Sequence, residues 1–389
     1  MTLHPGKSMN LKSASRAPAG VWRASLIGLA CVACQALAAP LSVKPLTYRG
    51  TMPFVQSDNV NLAQRINNLI YLTVLDLPAP VTLQNGLNEH KSEDGVHPLS
   101  DIAFEVGRND ERILALSVSA EGCGAYCENF TTQFNFELFS GRQLVASDLF
   151  TPAGSARLIK QLQAARVSRV SAEIARLRRD VKATGQKAAS TGKANAAPKE
   201  EDGELTNAIE MYERCVSTFL DPAMAKYLSI DSDGLKIGTD AITFTRGRCS
   251  NHAMRALDDL HDFNNTLSLT ELAPYLNEYG KSLLLGDGKV MPSGGPFSQV
   301  LNGKVGQSSI TLRLGARNSD NSVSATYYYN RFRKPIPLFG KVAGNVLTLE
   351  ENDPSGTATA IIRATISGES FKGNWIGNGK QVAFEAGPS

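Results

Sequence analysis

Four of the six cysteines are the residues whose type and spacing indicate a specific chemistry most clearly. Cys123 and Cys127 lie four positions apart, and Cys215 and Cys249 follow much later. An even number of cysteines in an oxidising compartment favours disulfides, and four cysteines allow three pairings. We expect Cys123–Cys127, which would close a short loop, together with Cys215–Cys249. A four-cysteine zinc site is the alternative, but such sites use two close pairs, and these four cysteines contain only one. The other two cysteines of the chain, Cys31 and Cys34, lie in the N-terminal segment that we expect to be removed.

A second concentration of polar side chains could bind a metal ion or carry hydrolytic chemistry. It consists of His252, Asp258, Asp259, His261 and Asp262. The histidines are nine positions apart, which is not the spacing of neighbours on one helix. We therefore interpret this stretch as a polar surface segment.

Motifs of established catalytic chemistry are missing from the sequence. There is no phosphate-binding Gly-Lys loop, no His-Glu-x-x-His motif and no nucleophile elbow. We predict no catalytic residue, no cofactor and no metal. Trp375 and the run Tyr327–Tyr329 could stack on a sugar, although aromatic residues in a small β domain more often pack in its core or rim.

The first 38 residues have the three parts of a secretory signal peptide. A basic region ends at Arg23, an apolar stretch follows, and Ala36 and Ala38 are small residues at the positions that a signal peptidase reads. We expect cleavage after Ala38 or Ala39. The apolar stretch is shorter than the roughly 20 residues that span a bilayer; an uncleaved anchor and a lipoprotein are the alternatives. We predict a periplasmic or secreted protein with no membrane span after cleavage.

The charge of the mature chain excludes one class of partner. The full sequence carries 40 Lys and Arg against 37 Asp and Glu, and four of the bases lie in residues 1–38, which contain no acid. Removing that segment leaves a net charge of −1. Binding to nucleic acid requires a concentrated basic surface, so we expect no nucleic-acid partner.

Hydrophobic periodicity predicts both helices and strands over residues 39–288. Apolar residues at helical spacing predict a helix over Asn59–Tyr71 and a long helix over Ser155–Lys182. The second helix has an arginine-rich face, which we interpret as solvated; a surface that grips an anionic polymer is the alternative. Residues 112–120 read as a strand with apolar side chains on both faces, and Phe130–Phe139 reads as the next strand.

Two changes in composition complete the expected organisation. Residues 185–204 nearly lack large apolar side chains, which predicts a flexible insert. Glycine, proline and serine dominate around residues 286–296, which indicates a domain boundary. From residue 296 to residue 389 short strands alternate with turns, as in a small all-β antiparallel barrel or sandwich.

Several segments resemble one family of extracellular domains. They are Phe134-Asn-Phe-Glu-Leu-Phe-Ser-Gly-Arg-Gln-Leu144, Ser147-Asp-Leu-Phe150, Tyr227-Leu-Ser-Ile-Asp-Ser-Asp-Gly-Leu235 and Leu269-Thr-Glu-Leu-Ala-Pro-Tyr-Leu276. Together they look like the domain shared by RsiV-type lysozyme-sensing anti-sigma factors and PdaC-type peptidoglycan deacetylases. The resemblance spans about residues 45–285 and implies an α+β fold, with an antiparallel sheet and helices. It also implies binding of an envelope ligand, since the deacetylase domain and the sigma-binding segment are missing here.

The expected function is that of a non-enzymatic binding protein for a lysozyme-like protein or a cell-wall glycan such as peptidoglycan. We expect the ligand to contact the loop Gly122–Phe130, through Tyr126, Glu128, Asn129 and Phe130. A cell-wall hydrolase or deacetylase with an unrecognised site is one alternative. An envelope structural or assembly module, docking through its β domain, is the other.

Overall fold

A computed structural model describes the chain over residues 40–85, 87, 99–124, 127–190, 200–218, 220–221, 229–287, 295–318, 320–353 and 355–388. The expected signal peptide, residues 1–38, lies outside the described residues. So does Tyr126 of the expected ligand-binding loop.

The N-terminal part pairs a β-hairpin with a helix. Strands β1 (Ser42–Thr47) and β2 (Thr51–Gln56) are antiparallel, and helix α1 (Val60–Val74) follows. The Asn59 side chain caps α1 by accepting a hydrogen bond from the Leu62 backbone at 3.1 Å. The buried Asn67 side chain bonds both the N–H and the C=O of Val55 at 2.8 Å, which fixes the helix against β2.

A three-stranded antiparallel sheet forms the centre of the α+β part. Its strands are β3 (Leu99–Asn109), β4 (Ile113–Cys123) and β5 (Cys127–Glu137), with β4 in the middle. Even-numbered residues from Leu114 to Ala120 pack into one hydrophobic core with α1, β1 and β2. Ile113 and Ala115 pack into a second core on the opposite face. The apolar side chains that the sequence placed on both faces of this strand are therefore buried on both faces.

The remaining elements of the α+β part build that second core and a helical layer. They are α2 (Ala146–Leu149), α3 (Pro152–Ser190), α4 (Glu200–Thr218), β6 (Gly234–Ile237), β7 (Ala241–Arg246), β8 (Phe263–Ser268), α5 (Leu269–Leu272) and α6 (Glu278–Leu285). Strands β6, β7 and β8 form a second antiparallel sheet. The buried Asn135 of β5 joins the two sheets, because its side chain bonds Leu235 O at 2.7 Å and Ile237 N at 3.2 Å.

Helix α3 is longer than the sequence indicated, and helix α4 begins inside the expected insert. Helix α3 was expected to end at Lys182 and ends at Ser190, and α4 begins at Glu200, so both ends of the expected insert 185–204 are helical. Residues 191–199 lie outside the described residues, and the flexibility of the insert stays a prediction. The two helices share a small apolar core that includes Val170, Ile174 and Tyr212.

The arginine-rich face of α3 is not solvated throughout, which corrects our interpretation of it. Arg166 is only 2% exposed, and its guanidinium lies 2.7 Å from Asp233, which also binds Arg246 at 2.6 Å. Arg169 donates to Leu260 O at 2.6 Å and lies over the ring of Phe263. These arginines connect α3 to the second sheet and to the segment before β8.

The C-terminal part is a closed eight-stranded antiparallel barrel, which decides between the two architectures left open by the sequence. Each strand pairs with the next, and the last pairs with the first. The strands are β9 (Gln299–Val305), β10 (Ser308–Leu314), β11 (Ser322–Tyr329), β12 (Ile336–Ala343), β13 (Val346–Asn352), β14 (Ala358–Ser367), β15 (Ser370–Gly377) and β16 (Lys380–Gly387). The expected fold class, α+β followed by a small all-β antiparallel domain, is confirmed.

Alternation along the barrel strands separates a filled interior from an outer face. Tyr327 of β11 points inward and donates to Glu351 at 3.0 Å, whereas Tyr328 points outward, 3.4 Å from Asn68 of α1. Gly340 and Gly373 lie so close to the neighbouring strand that a Cβ would collide with its carbonyl oxygen, so the curvature there requires glycine.

The barrel and the α+β part belong to the same compact unit of the chain. Val300 on the outside of β9 joins the core around α1. Arg333 donates to Ala79 O at 2.7 Å, and Gln143 donates its backbone N–H to Ser298 O at 2.8 Å. The expected boundary between residues 288 and 296 stays a prediction.

We predict that Asp233→Asn destabilises the protein by about 3–5 kcal/mol, because it leaves two buried guanidiniums without their counter-charge. The free energy of unfolding is measured in urea by circular dichroism. Glu105→Gln is the matched control, since Glu105 pairs with Lys236 at an exposed position and such pairs contribute less than about 1 kcal/mol. Equal effects of the two substitutions would contradict the importance of the buried network.

Candidate functional site

The end of the β4–β5 hairpin extends past both cores and is closed by a disulfide. Cys123 lies directly opposite Cys127 in the strand register and is bonded to it, as expected from the sequence. We call residues Glu121–Gly124 and Cys127–Phe130 the hairpin tip. Within the tip, residues Glu121–Cys123 of β4 are still paired with residues Cys127–Asn129 of β5. The tip is therefore an extension of a strand whose base is buried, and not an independent loop.

The expected ligand-binding residues occupy both faces of the tip. Glu128 and Phe130 share one face and Asn129 lies on the other, because side chains alternate along a strand. All three are exposed, Phe130 by 39%. The Phe130 ring lies beside Gly122, at the distance of an ordinary van der Waals contact with a Cβ at that position. Tyr126, the fourth expected residue, lies outside the described residues.

Glu128 makes the contact that ties the tip to the rest of the molecule. Its carboxylate lies 2.9 Å from Nη2 of Arg255 and 3.4 Å from Nδ1 of His252. Arg255 is 127 residues away in the chain, and no local pattern in the sequence indicated it. The structure thus brings together the expected binding loop and the start of the His252–Asp262 segment.

The second disulfide holds that segment in place. Cys249, at its start, is bonded to Cys215 in helix α4, again as expected. Cys215 is buried in the small core between α3 and α4. Both disulfides therefore act on the same neighbourhood: one closes the tip, and the other anchors the segment that carries Arg255 to it.

The acidic residues of the His252–Asp262 segment serve packing and not a shared centre. Asp258 is buried and accepts hydrogen bonds from Tyr212 Oη at 2.9 Å and Ser250 N at 3.2 Å. Burial, with the Asp258 carboxylate nearby, raises the pKa of the Tyr212 phenol. Asp259 pairs with Arg176 at 3.0 Å, and Asp262 lies 3.5 Å from Arg248. These carboxylates point to different partners.

One cluster of possible metal ligands occurs within the described ranges. It joins Glu121 to Cys123 and Cys127 at the tip. Both sulfur atoms are already bonded to each other, so the thiolates that a metal would need are not available in this state.

The aromatic residues considered for sugar stacking take different positions. Tyr327 is buried inside the barrel and Tyr328 is buried against α1, so neither offers a free ring face. Tyr329 stands edge-on to Tyr327, with ring centroids 5.5 Å apart. Trp375 lies on the inner face of β15, half-buried, with its Nε1 unpartnered.

Comparison with known proteins identifies no family. No protein-family model matches the chain, and no curated protein is significantly similar to it. Among solved structures, a member of the DUF3298 family from Bacteroides fragilis covers 62% of this chain and 95% of its own length, with 11% identity and a TM-score of 0.36. Both values are too low to support a functional argument. Over the described part of the chain, no helix has the length and apolar character needed to cross a membrane.

We predict unequal losses of stability when each disulfide is removed by a double Cys→Ala substitution. Loop-closure entropy gives about 4 kcal/mol for Cys215–Cys249 and about 2 kcal/mol for Cys123–Cys127, since their sequence separations are 34 and 4. Urea unfolding of both variants under the same conditions measures the difference. An equal loss, or a larger loss for the Cys123–Cys127 variant, would contradict this expectation.

Proposed function

We propose that this chain is a non-enzymatic binding protein of the bacterial envelope, periplasmic or secreted, which contacts its ligand through the hairpin tip. The ligand is a lysozyme-like protein or a cell-wall glycan. The observation that carries the proposal is a tip closed by Cys123–Cys127, braced by the Glu128–Arg255 ion pair and still exposed.

Rigidity is the physical reason to favour the tip as a binding surface. Ordering a loop on binding costs free energy, and a loop that is already fixed avoids most of that cost. The tip is fixed at its base by β4 and at its end by a covalent bond. An exposed aromatic ring, Phe130, next to charged and amide side chains is the mixture that serves as an anchor in protein interfaces.

Shape favours a protein partner over a glycan at this position. The end of a hairpin with exposed side chains on both faces is convex, and convex loops insert into concave surfaces of a partner. A glycan is instead usually held in a cleft. A lysozyme-like enzyme offers a concave substrate cleft, so it is the ligand we propose first for the tip.

The resemblance to the RsiV and PdaC extracellular domains adds support of a different kind. The segments that carry it include the end of strand β5 and the α5 region. The tip sequence Gly124-Ala-Tyr-Cys127 departs from the family pattern, so only binding of an envelope ligand is carried over. Two disulfides fit a compartment outside the cytoplasm.

A second candidate function is docking of the barrel to another envelope protein. One row across the outside of neighbouring strands contains Phe339, Glu350, Ile361 and Ile376 in register. Its three apolar members are exposed by 36–59%. In-cell cross-linking through a photoreactive residue at position 339 tests it; capture of no protein would remove this candidate.

The proposed function predicts retention of a lysozyme-like protein by the immobilised chain without residues 1–38. Phe130→Ala should weaken binding at least tenfold, because a buried aromatic anchor contributes about 2 kcal/mol or more. Biolayer interferometry with hen lysozyme and with purified peptidoglycan fragments measures both ligands.

Phe332→Ala is the matched control for that experiment, since Phe332 is also an exposed aromatic side chain but lies on a barrel loop. Binding should be unchanged in this variant. Failure of the parent protein to retain either ligand, or equal weakening by both substitutions, would refute the proposed function.

A further inference from the structure

A cleft of about 580 Å³ lies where the α+β part meets the barrel. Its walls come from four segments that are far apart in the sequence: residues 142–148, residues 229–232, residues 295–298 and residues 316–322. We call it the junction cleft. It is separate from the hairpin tip, since no residue of the tip lines it. Its volume is in the range of sites that hold small molecules.

Arg142 is the buried charge of the junction cleft. The residue is 5% exposed, and its Nη2 lies 2.8 Å from Asp148 Oδ2, close enough for an ion pair but off the hydrogen-bond direction. Its Nε is buried and has no hydrogen-bond partner. Protein atoms enclose this nitrogen, so Arg142 contributes to the cleft by holding Asp148 in its wall and not as a donor to a ligand.

Other polar groups of the cleft are held in place by local hydrogen bonds. Asp231 accepts from the backbone N–H of Ser147 at 2.8 Å and from the Ser229 hydroxyl at 3.3 Å. Asp320 accepts from Ser322 N at 2.9 Å, and its hydrogen bonds with Ser322 lower the pKa of its carboxyl. Their positions are therefore set before any ligand arrives.

Backbone hydrogen bonds between the α+β part and the barrel fix one wall of the cleft in place. Ser298 accepts a hydrogen bond from Gln143 N at 2.8 Å and donates its own N–H to Gly315 O at 3.2 Å. One residue thus connects the turn after β5 to the barrel loop after β10. Phe297, next to it, is half-buried and offers an apolar surface.

The balance of charges and hydroxyls selects the class of ligand. Two guanidiniums, of Arg142 and Arg317, face three carboxylates, and five serines supply hydroxyl groups. An anion would require an excess of cations, and the carboxylates do not converge as a divalent cation needs. Interspersed donors and acceptors beside one aromatic ring match a neutral polyhydroxylated molecule, whose hydroxyls both donate and accept.

We propose that the junction cleft binds a neutral carbohydrate of about disaccharide size, with sugar oxygens accepting from the Arg317 guanidinium and sugar hydroxyls donating to Asp231 and Asp320. This inference goes beyond the function proposed for the hairpin tip and does not depend on it. A bound sugar would contact the α+β part and the barrel at once.

The test is isothermal titration calorimetry of the full chain without residues 1–38. The probes are N,N′-diacetylchitobiose, cellobiose and maltose, with inorganic phosphate as the charged comparison. We expect at least one of the sugars to bind and phosphate not to bind. Ser232→Trp places a large ring in the cleft from an exposed position and should weaken sugar binding at least tenfold.

Two controls keep the result decisive. Ser309→Trp makes the same change at an exposed serine near the opposite end of the barrel, and it should bind the sugar like the parent protein. Phe130→Ala should also bind it normally, which separates this site from the hairpin tip. Binding of phosphate alone, binding of none of the sugars, or sugar binding that survives Ser232→Trp would overturn the proposal.

Discussion

Burial of strand β4 on both faces is the constraint on which the rest of the α+β part depends. Leu114, Leu116 and Val118 pack toward α1, while Ile113 and Ala115 pack toward the second sheet and α6. A strand enclosed in this way cannot shift by one residue without exchanging its two sets of side chains. Its register is therefore strongly specified, and so is the position of everything that extends from its far end.

Strand β4 fixes the position of the hairpin tip. From Glu121 onward the paired strands leave the cores, and covalent and ionic contacts replace hydrophobic burial as the source of order. Arg255 reaches the tip because Cys249 and the buried Asp258 hold its segment against α4. Exposure and order are thus combined at one place, a combination that suits recognition of a ligand more than catalysis.

Local patterns were sufficient for most elements but not for contacts between distant ones. The helix over Asn59–Tyr71 and the doubly apolar strand over residues 112–120 follow from periodicity, and both are present. The disulfide pairing could be anticipated because Cys123 and Cys127 flank a short loop. Closure of the barrel could not, since a barrel and a sandwich share the same alternation and differ only in whether β16 pairs with β9.

The failures of sequence reasoning concern charged side chains. Arg166 stands among other arginines on α3 and looks solvated, yet Asp233 and Asn265 surround it in the interior. Likewise no pattern in the sequence indicated that Arg142 and Asp231 line the same cleft, because the turn after β5 and the residues before β6 meet only in the folded chain. Hydrophobic periodicity indicates which face of a helix or strand is apolar. It does not indicate which charged side chains will be buried by a segment that is distant in the sequence.

The central claim is that the tip is an ordered, preformed surface, and hydrogen exchange measures this directly. Backbone amides of Gly122 and Glu128, which pair across β4 and β5, should exchange far more slowly than those of an unstructured peptide, and the protection should fall when Cys123 and Cys127 are both replaced by alanine. Exchange at the unstructured rate in the intact protein, with the core of β4 still protected, would contradict the account.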